Sequence, residues 1–325
     1  MKTIAFFNSK SGVGKTTLVY HLAWMYAELG LNVVVADLDP QAKLTSLFVE
    51  EDRLAELWPY DGEHSQTILG TISPILEGYG DINEPYLEHI TENISLIVGD
   101  LGLFMLEAQL SEAWVHCDDG NELALRILSV FHRTLKAAFQ RQEADIVLID
   151  LNSSLSAINS AALISAEYII TPLLPSPLFR YGLNNIEESL SRLREKWPKC
   201  LNKNSVIDLP TSLMQPVGYV IFQPRPPKYY TRWMDIPRIY HQTILNEKIE
   251  DPPDVTQDNY CLATLSYYWG LMQMAKEARK PIFYLKPADG AMGAHVLAVK
   301  DCYKDFKQLA LKIANVCAID FQNND

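Results

Sequence analysis

The chain has 325 residues and a formal net charge of −12, and this length is enough for one large α/β domain with its own core. Its 48% apolar and 21% charged residues are ordinary for a soluble globular protein. No apolar run approaches the ~20 residues that cross a bilayer, and the run after Lys2 is too short for a signal peptide, so we expect a cytoplasmic protein.

The first predicted strand, residues 4–7, leads into residues 8–17, which read N-S-K-S-G-V-G-K-T-T. A helical pattern follows, with Leu18 and Leu22 on one face. Strand, glycine loop and helix in this order place backbone N–H groups around a phosphate at the positive end of the helix. In such a loop Lys15 reaches the β- and γ-phosphates, the Thr16 hydroxyl binds Mg²⁺, and Thr17 lies near the α-phosphate.

Residues 10–17, K-S-G-V-G-K-T-T, resemble the deviant Walker A motif K-G-G-V-G-K-T-T of the ParA/MinD family of ATPases, with Ser11 in place of a glycine. Ser9 occupies the first glycine position of the standard phosphate loop. The resemblance implies ATP and Mg²⁺ as cofactors and an ATP-dependent homodimer in which Lys10 reaches the partner's nucleotide. It also implies that Lys10 and Lys15 are catalytic. The nucleotide-binding residues would be Lys10, Ser11, Gly12, Val13, Gly14, Lys15, Thr16 and Thr17.

The second predicted strand, residues 32–37, is apolar and ends in Asp37-Leu38-Asp39-Pro40-Gln41. Carboxylates at the carboxyl end of a buried strand beside a phosphate loop suit a Mg²⁺ and water site, although Asp-Pro is also a common turn dipeptide. The segment matches the family's D-x-D-P-Q. By that match Asp39 is a catalytic residue that positions the attacking water, and Asp37 is a metal-site residue that holds metal-bound water.

Residues 50–122 hold 17 Asp and Glu residues and a single basic residue, Arg53, and therefore carry −16, which leaves +4 for the rest of the chain. An overall pI near 5.1 argues against nucleic acid, but binding depends on the charge of the local face. We expect an acidic insert of short helices and loops at about residues 50–93. It is either a surface for a basic partner peptide or a solvated face.

The third predicted strand covers residues 94–99, and a helix is predicted over residues 123–140. A strand then covers residues 145–150. Its terminal Asp150 has the position of a Walker B carboxylate, which holds the Mg²⁺ shell. The family continues D-x-P-P-S, whereas this chain continues Leu151-Asn152-Ser153-Ser154. That departure bears on the switch geometry and the hydrolysis rate and leaves ATP binding unaffected.

The pattern then predicts a strand at residues 166–171, a helix at residues 177–196 that is broken by Pro198, a loop at residues 199–214 and a strand at residues 217–222. In the family the equivalent strand end approaches the adenine, so Phe222 and Gln223 are candidate base contacts.

Basic and aromatic residues are interleaved after that strand. This composition fits a phosphate-backbone footprint on DNA, but it also fits long side chains covering a surface helix. The candidate DNA-binding residues are Arg225, Lys228, Arg232 and Arg238.

The last predicted helix is amphipathic and contains Val299, Phe306, Leu309 and Ile313 at spacings of three and four. MinD-type proteins end in a basic membrane-targeting helix, whereas this sequence ends in an acidic segment that anionic lipid would repel. The five cysteines include no C-x-x-C pair, which predicts buried free thiols in a reducing compartment.

These elements predict an α/β fold, a doubly wound and mostly parallel sheet with helices on both faces and ATP at the carboxyl edge, formed by one domain over residues 1–325. The first functional hypothesis is a ParA-like ATPase whose ATP-bound dimer binds non-specific DNA and whose hydrolysis is stimulated by a ParB-like partner. The second is a MinD-like positioning or regulatory switch that acts through proteins without DNA or membrane. A metabolic phosphotransferase is a third, less favoured hypothesis.

Overall fold

The computed structural model describes residues 1–176, 179–201, 207–211, 214–223, 235–266 and 268–321. Eight strands lie within these ranges: Thr3–Phe6 (β1), Val33–Asp37 (β2), Glu88–Thr91 (β3), Ile94–Ile97 (β4), Ile146–Asp150 (β5), Tyr168–Leu173 (β6), Gln215–Gln223 (β7) and Cys261–Ser266 (β8). They form one sheet in the order β3-β4-β2-β5-β1-β6-β7-β8. All neighbouring strands are parallel except β3, which pairs antiparallel with β4.

Helices cover both faces of this sheet, so the predicted doubly wound architecture is confirmed. They are Lys15–Glu28 (α1), Lys43–Phe48 (α2), Glu51–Leu57 (α3), Ile68–Leu76 (α4), Leu106–His116 (α5), Glu122–Leu128 (α6), Val130–Arg141 (α7), Ala157–Ile164 (α8), Phe179–Leu201 (α9), Ile236–Tyr240 (α10), Trp269–Ala278 (α11) and Ala294–Val316 (α12). None of the helices in the described ranges is both long and apolar enough to cross a bilayer.

Alternate residues of each central strand enter opposite cores, as the two-residue period of a strand requires. Ile4 and Phe6 belong to the core under α1 and α12, whereas Ala5 belongs to the core under α5, α7 and α8. All of the β1, β2 and β5 side chains are buried. This explains why these strands read as continuous apolar runs.

Two of the predicted helices differ from the structure. The helix predicted at residues 123–140 is two helices, α6 and α7, because the chain bends at Ser129, whose hydroxyl donates to the Leu125 carbonyl at 2.7 Å. The prediction that Pro198 breaks α9 is wrong. Pro198 lies in the last turn of α9, and that turn is anchored by the Trp197 indole, which donates to the Pro210 carbonyl at 2.8 Å.

The acidic insert at about residues 50–93 contains short helices, as predicted, namely α3 and α4. It also supplies the edge strand β3, which the sequence pattern did not reveal.

The prediction of free thiols holds for the buried Cys261, Cys302 and Cys317. It is wrong for Cys117 and Cys200, which are joined in a disulfide between the end of α5 and the end of α9.

Candidate nucleotide-binding site

The glycine loop connects β1 to α1 and depends on two glycines in the left-handed region. Gly12 has a φ of +71° and Gly14 a φ of +91°, a conformation that is costly for other residues. At Gly14 space is a second constraint, because a Cβ atom there would lie 2.5 Å from the Phe222 ring. The loop therefore has its shape only with glycine at these positions.

A cavity of about 540 Å³ lies over the loop at the carboxyl edge of the sheet. Three chain segments line it: the loop itself from Ser11 to Thr17, the segment after β2 and the segment after β5. The first contributes Ser11, Gly12, Val13, Gly14, Lys15, Thr16 and Thr17. The others contribute Asp39, Pro40, Gln41 and Lys43, and Leu151, Asn152, Ser153 and Ser154. The strand order explains this convergence, since β5 lies between β1 and β2.

Lys15 is held by three oxygen atoms at the base of the cavity. Its Nζ donates to the carbonyls of Asn8 at 3.1 Å and Lys10 at 3.4 Å and to Ser153 Oγ at 2.5 Å. Burial lowers the pKa of Lys15, while the carboxylates of Asp150 and Asp39 act in the opposite direction. The lysine is thus a desolvated cation that is available to a phosphate group.

Thr16 and Asp150 lie next to Lys15 and together offer oxygen atoms that can act as metal ligands. Thr16 Oγ1 donates to Asp150 Oδ2 at 2.7 Å, and the fully buried Asp150 Oδ1 has no hydrogen-bond partner among the described residues. Burial raises the pKa of Asp150 well above its usual range, and the neighbouring Asp37 adds to the shift. Mg²⁺ prefers carboxylate and hydroxyl oxygens, and an orphaned buried carboxylate oxygen fits such an ion.

The two carboxylates after β2 differ in their surroundings. Asp39 lines the cavity, and its Oδ1 accepts the Gln41 N–H at 2.9 Å. Asp37 is fully buried below it, and its Oδ2 accepts both the N–H and the hydroxyl of Thr45, at 2.7 and 2.8 Å. Burial raises the pKa of Asp37 to about 7. The geometry therefore brings Asp39 to the cavity and holds Asp37 beneath it.

Lys10 points to the segment after β6. Its Nζ donates to Ser176 Oγ at 2.7 Å, and its own N–H donates to Asn8 Oδ1 at 2.8 Å. The lysine that the resemblance assigns to a dimer partner is therefore bound within its own chain in this structure.

Phe222 lies at the end of β7, where its buried ring covers Gly14 and lines a recess of about 30 Å³ together with Thr17 and Tyr268. Gln223 ends the strand, and its side chain lies outside the described residues. Of the candidate DNA-binding residues, Arg238 is exposed on α10. Arg225, Lys228 and Arg232 lie outside the described residues.

Three residues of the site were not found from the sequence. Ser153 bonds to Lys15, Thr45 bonds to Asp37, and Lys43 lines the cavity. Ser153 had one usable signal, because it stands where the resembling family carries a proline. The sequence around Thr45 and Lys43 gave no such signal, because the roles of these residues depend on how α2 turns back over the end of β2.

Residues 1–205 match a family model, AAA_31, described as an AAA domain. The chain belongs to this ParA/MinD-type family. Members of the family are P-loop ATPases, and the deviant loop at residues 10–17 agrees with this membership.

Two curated relatives illustrate the likeness. Protein IncC of Escherichia coli is 28% identical over 196 residues, which are 60% of this chain and 47% of IncC. The cell division protein PomZ of Myxococcus xanthus is 28% identical over 194 residues, which are 58% of this chain and 51% of PomZ. The chain thus spans about half the length of these relatives.

Solved structures extend the likeness to nearly the whole chain, at the level of the fold. A protein of Corynebacterium diphtheriae matches with a TM-score of 0.72 and 15% identity over 97% of this chain and 98% of its own. A plasmid partition protein of Borrelia burgdorferi, solved with AMPPNP, matches with a TM-score of 0.63 and 19% identity over 97% and 98%. The ParA-like P-loop fold is therefore shared.

Proposed function

We propose that the chain is a ParA-like ATPase that binds ATP and Mg²⁺ in the cavity over its glycine loop. The bound ATP closes a homodimer that binds non-specific DNA, and an activating, ParB-like partner stimulates hydrolysis. The cargo is a plasmid or a chromosome, and the protein is cytoplasmic and nucleoid-associated. The observation that carries the proposal is the convergence of Lys15, Thr16 and Asp39 on one cavity, with Asp150 hydrogen-bonded to Thr16.

In this proposal each polar group of the cavity has one task. Lys15 neutralises charge on the β- and γ-phosphates. Asp39, at the cavity wall, orients the water whose oxygen bonds to the γ-phosphorus while the bond from that phosphorus to ADP breaks. Thr16 and Asp150 would hold Mg²⁺, which supplies charge neutralisation when bound, and Asp37 supports this side of the site from below.

Lys10 accounts for the dimer in the same proposal. Its ammonium is bound to Ser176 in the single chain, and in the closed dimer it would exchange this hydroxyl for the partner's nucleotide phosphates. A charge-assisted bond to phosphate is stronger than a bond to a neutral hydroxyl. ATP therefore favours the closed dimer.

The first test is ATP hydrolysis by the Lys15→Ala variant. We expect turnover to be lost, because Lys15 is the cation that the glycine loop itself presents at this cavity, and Lys43, which also lines it, lies outside the loop. Lys199→Ala removes an exposed lysine that pairs only with Glu195 in the described structure, and it is the matched control. Normal turnover by Lys15→Ala would refute the assignment of the site.

The second test is retention of the protein on random-sequence DNA with ADP, ATP or a non-hydrolysable ATP analogue, at low and high salt. The proposal requires retention with ATP or the analogue that is lost at high salt, because phosphate contacts release counterions. Combined replacement of Arg225, Lys228, Arg232 and Arg238 by alanine should abolish it.

A positioning or regulatory switch without DNA is the second candidate function. The charge of −16 on residues 50–122 favours it, because an acidic face suits a protein partner better than nucleic acid. A dimer that forms with ATP but is retained on DNA in no nucleotide state would support this candidate.

A further inference from the structure

A groove runs along the acidic insert between α4, α5 and α6, away from the nucleotide cavity. It consists of two pockets of about 530 and 320 Å³ that share Leu76, Glu77 and Gln109. The larger pocket extends toward His64 and Met105, and the smaller one toward Leu123. The shared residues make the two pockets one continuous groove.

Apolar side chains are exposed to solvent along this groove. Met105 is 57% exposed and Leu123 is 56% exposed, and Tyr79 at the same groove is also exposed. Leu69 and Ile127 add partly buried apolar surface to the walls. Contiguous exposed apolar surface of this kind is typical of interaction sites.

The rim of the groove is acidic and uncompensated. Glu63, Glu77 and Glu112 are exposed, and none of them forms an ion pair with a described residue. The residues that line the groove include no lysine or arginine. Gln109 adds an amide oxygen, Oε1, that is buried and accepts no hydrogen bond from a described residue. The groove thus offers several acceptors and negative charge to a donor-rich ligand.

One wall of the groove is hydrogen-bonded to the segment after β2. Thr67, at the start of α4, and His64 both donate to the buried Asp100 carboxylate, at 2.6 and 2.7 Å. The adjacent Gly99 N–H donates to Thr45 Oγ1 at 2.9 Å. Thr45 in turn holds Asp37, so a short chain of bonds joins α4 to the nucleotide site.

The other wall is hydrogen-bonded to the segment after β5. The Glu107 carboxylate of α5 accepts the N–H groups of Ala157 and Ile158 at the start of α8, at 2.7 and 3.1 Å. Asn159 of α8 donates to Asn152 Oδ1 at 2.8 Å. Asn152 is adjacent to Ser153, the partner of Lys15, so α5 is connected to the opposite side of the same cavity.

We propose that this groove is the docking surface for a segment of a partner protein that presents apolar side chains flanked by lysine or arginine. Apolar floor, acidic rim and free acceptors together fit an amphipathic basic helix laid into a groove. Because each wall is bonded to one side of the nucleotide cavity, a docked segment changes ATP turnover. This last step deepens the proposed function and rests on it.

The docking test needs no nucleotide. The probe is a fluorescent, helical 16-residue peptide of leucine and lysine, about the length that folds as a helix, and its binding to the full chain is followed by anisotropy. The test variant is Glu77→Lys with Glu112→Lys. The control is Glu188→Lys with Glu277→Lys, two exposed acids outside the groove that give the same change in net charge.

The control should bind the peptide as the unmodified chain does, and the groove variant should bind about tenfold more weakly, a loss of about 1.4 kcal/mol. Equal losses in both variants would show bulk charge attraction and overturn the proposal. So would equal binding of a leucine–glutamate peptide, or no binding to the unmodified chain at about 1 mM peptide.

The coupling test measures ATP turnover with saturating peptide. Turnover should change about threefold or more in the unmodified chain and in the control. In Glu107→Gln, which loses one of the two acceptors for the start of α8, the peptide should still bind while this change shrinks. Binding without any change in turnover would overturn the coupling. A chain that hydrolyses no ATP would refute the proposed function. The peptide-binding experiment without nucleotide would still show whether the groove is a docking surface.

Discussion

Ser153 Oγ lies 2.5 Å from Lys15 Nζ, so the segment after β5 is bonded directly to the lysine of the glycine loop. The resembling family has a proline at this position, which offers no hydroxyl. In this chain an incoming phosphate group must therefore compete with a serine for the lysine.

Replacing that serine should make ADP binding tighter. In Ser153→Ala the lysine loses a competing partner worth about 1 kcal/mol, so the ADP dissociation constant should fall about fivefold. Isothermal titration calorimetry measures it. Ser154→Ala is the matched control, because Ser154 lines the same cavity but its hydroxyl bonds to Asn152. An unchanged or higher constant in Ser153→Ala would contradict this role.

Asp150→Asn should separate nucleotide binding from its dependence on Mg²⁺. Asparagine keeps the size of the side chain but lacks the charge that a divalent ion needs. Affinity for ATP with Mg²⁺ should fall at least about tenfold, whereas affinity in the presence of a chelator should stay the same. An equal loss under both conditions would mean that the substitution damages the loop and would speak against a metal role.

His21 should make the fold sensitive to mild acid. Its Nδ1 donates to the Thr17 carbonyl at 2.8 Å, and its Nε2 accepts the Ile282 N–H at 3.1 Å. The bond from Ile282 requires the neutral ring, because a protonated Nε2 cannot accept, and burial lowers the pKa of His21 to about 4. The unfolded chain binds the proton first, so the stability from this residue is complete above about pH 6.5 and is lost as the pH falls toward 4.

The measurement is the free energy of unfolding between pH 7 and pH 4. The unmodified chain should lose about 3 kcal/mol more over this range than His21→Phe, which has no titrating ring. His295→Gln, which alters a histidine outside the core, should follow the unmodified chain. Parallel pH profiles for the unmodified chain and His21→Phe would contradict the assignment.

Arg53 should stabilise the acidic insert through its planar guanidinium and not through charge alone. Its Nε and Nη2 donate to the two oxygens of Glu88 at 3.1 and 2.9 Å, which ties α3 to β3. Arg53→Lys keeps the charge but loses the two-point contact. Since the pair is partly exposed, we expect a loss of about 1 kcal/mol in unfolding experiments. Arg192→Lys, on the exposed surface of α9, is the control.

The Cys117–Cys200 disulfide can be checked by counting thiols. Unfolded protein kept oxidised should react at Cys261, Cys302 and Cys317 only, and reduced protein should react at all five cysteines. The bridge closes a sequence separation of 83 residues, so reduction should lower the free energy of unfolding by about 4 kcal/mol. Five reactive thiols without reductant would show that the bridge does not form.

The sequence predicted those strands whose burial leaves a direct pattern in their own residues. β1, β2 and β5 are buried on both faces, and each left a continuous apolar run that could be read directly. β3 and β8 were missed, because Glu88–Thr91 is a partly exposed edge strand and half of the residues of Cys261–Ser266 are only partly buried. Neither leaves a continuous apolar run.

The same distinction applies to the site. The loop from Lys10 to Thr17 could be identified from residue types and spacing, because close approach to phosphate requires glycine and charge at fixed positions. The bond from Thr45 to Asp37 and the bond from Ser153 to Lys15 could not. Each joins residues whose proximity is set by the packing of separate elements, and neither residue type is unusual in its local sequence.

The hydrogen bond between His21 and Ile282 joins two segments that the ribosome synthesises at very different times. Helix α1 leaves the ribosome early, but it is held in place by a residue that follows more than 250 positions later. Tyr26 of the same helix donates to the Ala310 carbonyl. A nascent chain therefore carries its glycine loop on an incompletely covered helix until late in translation.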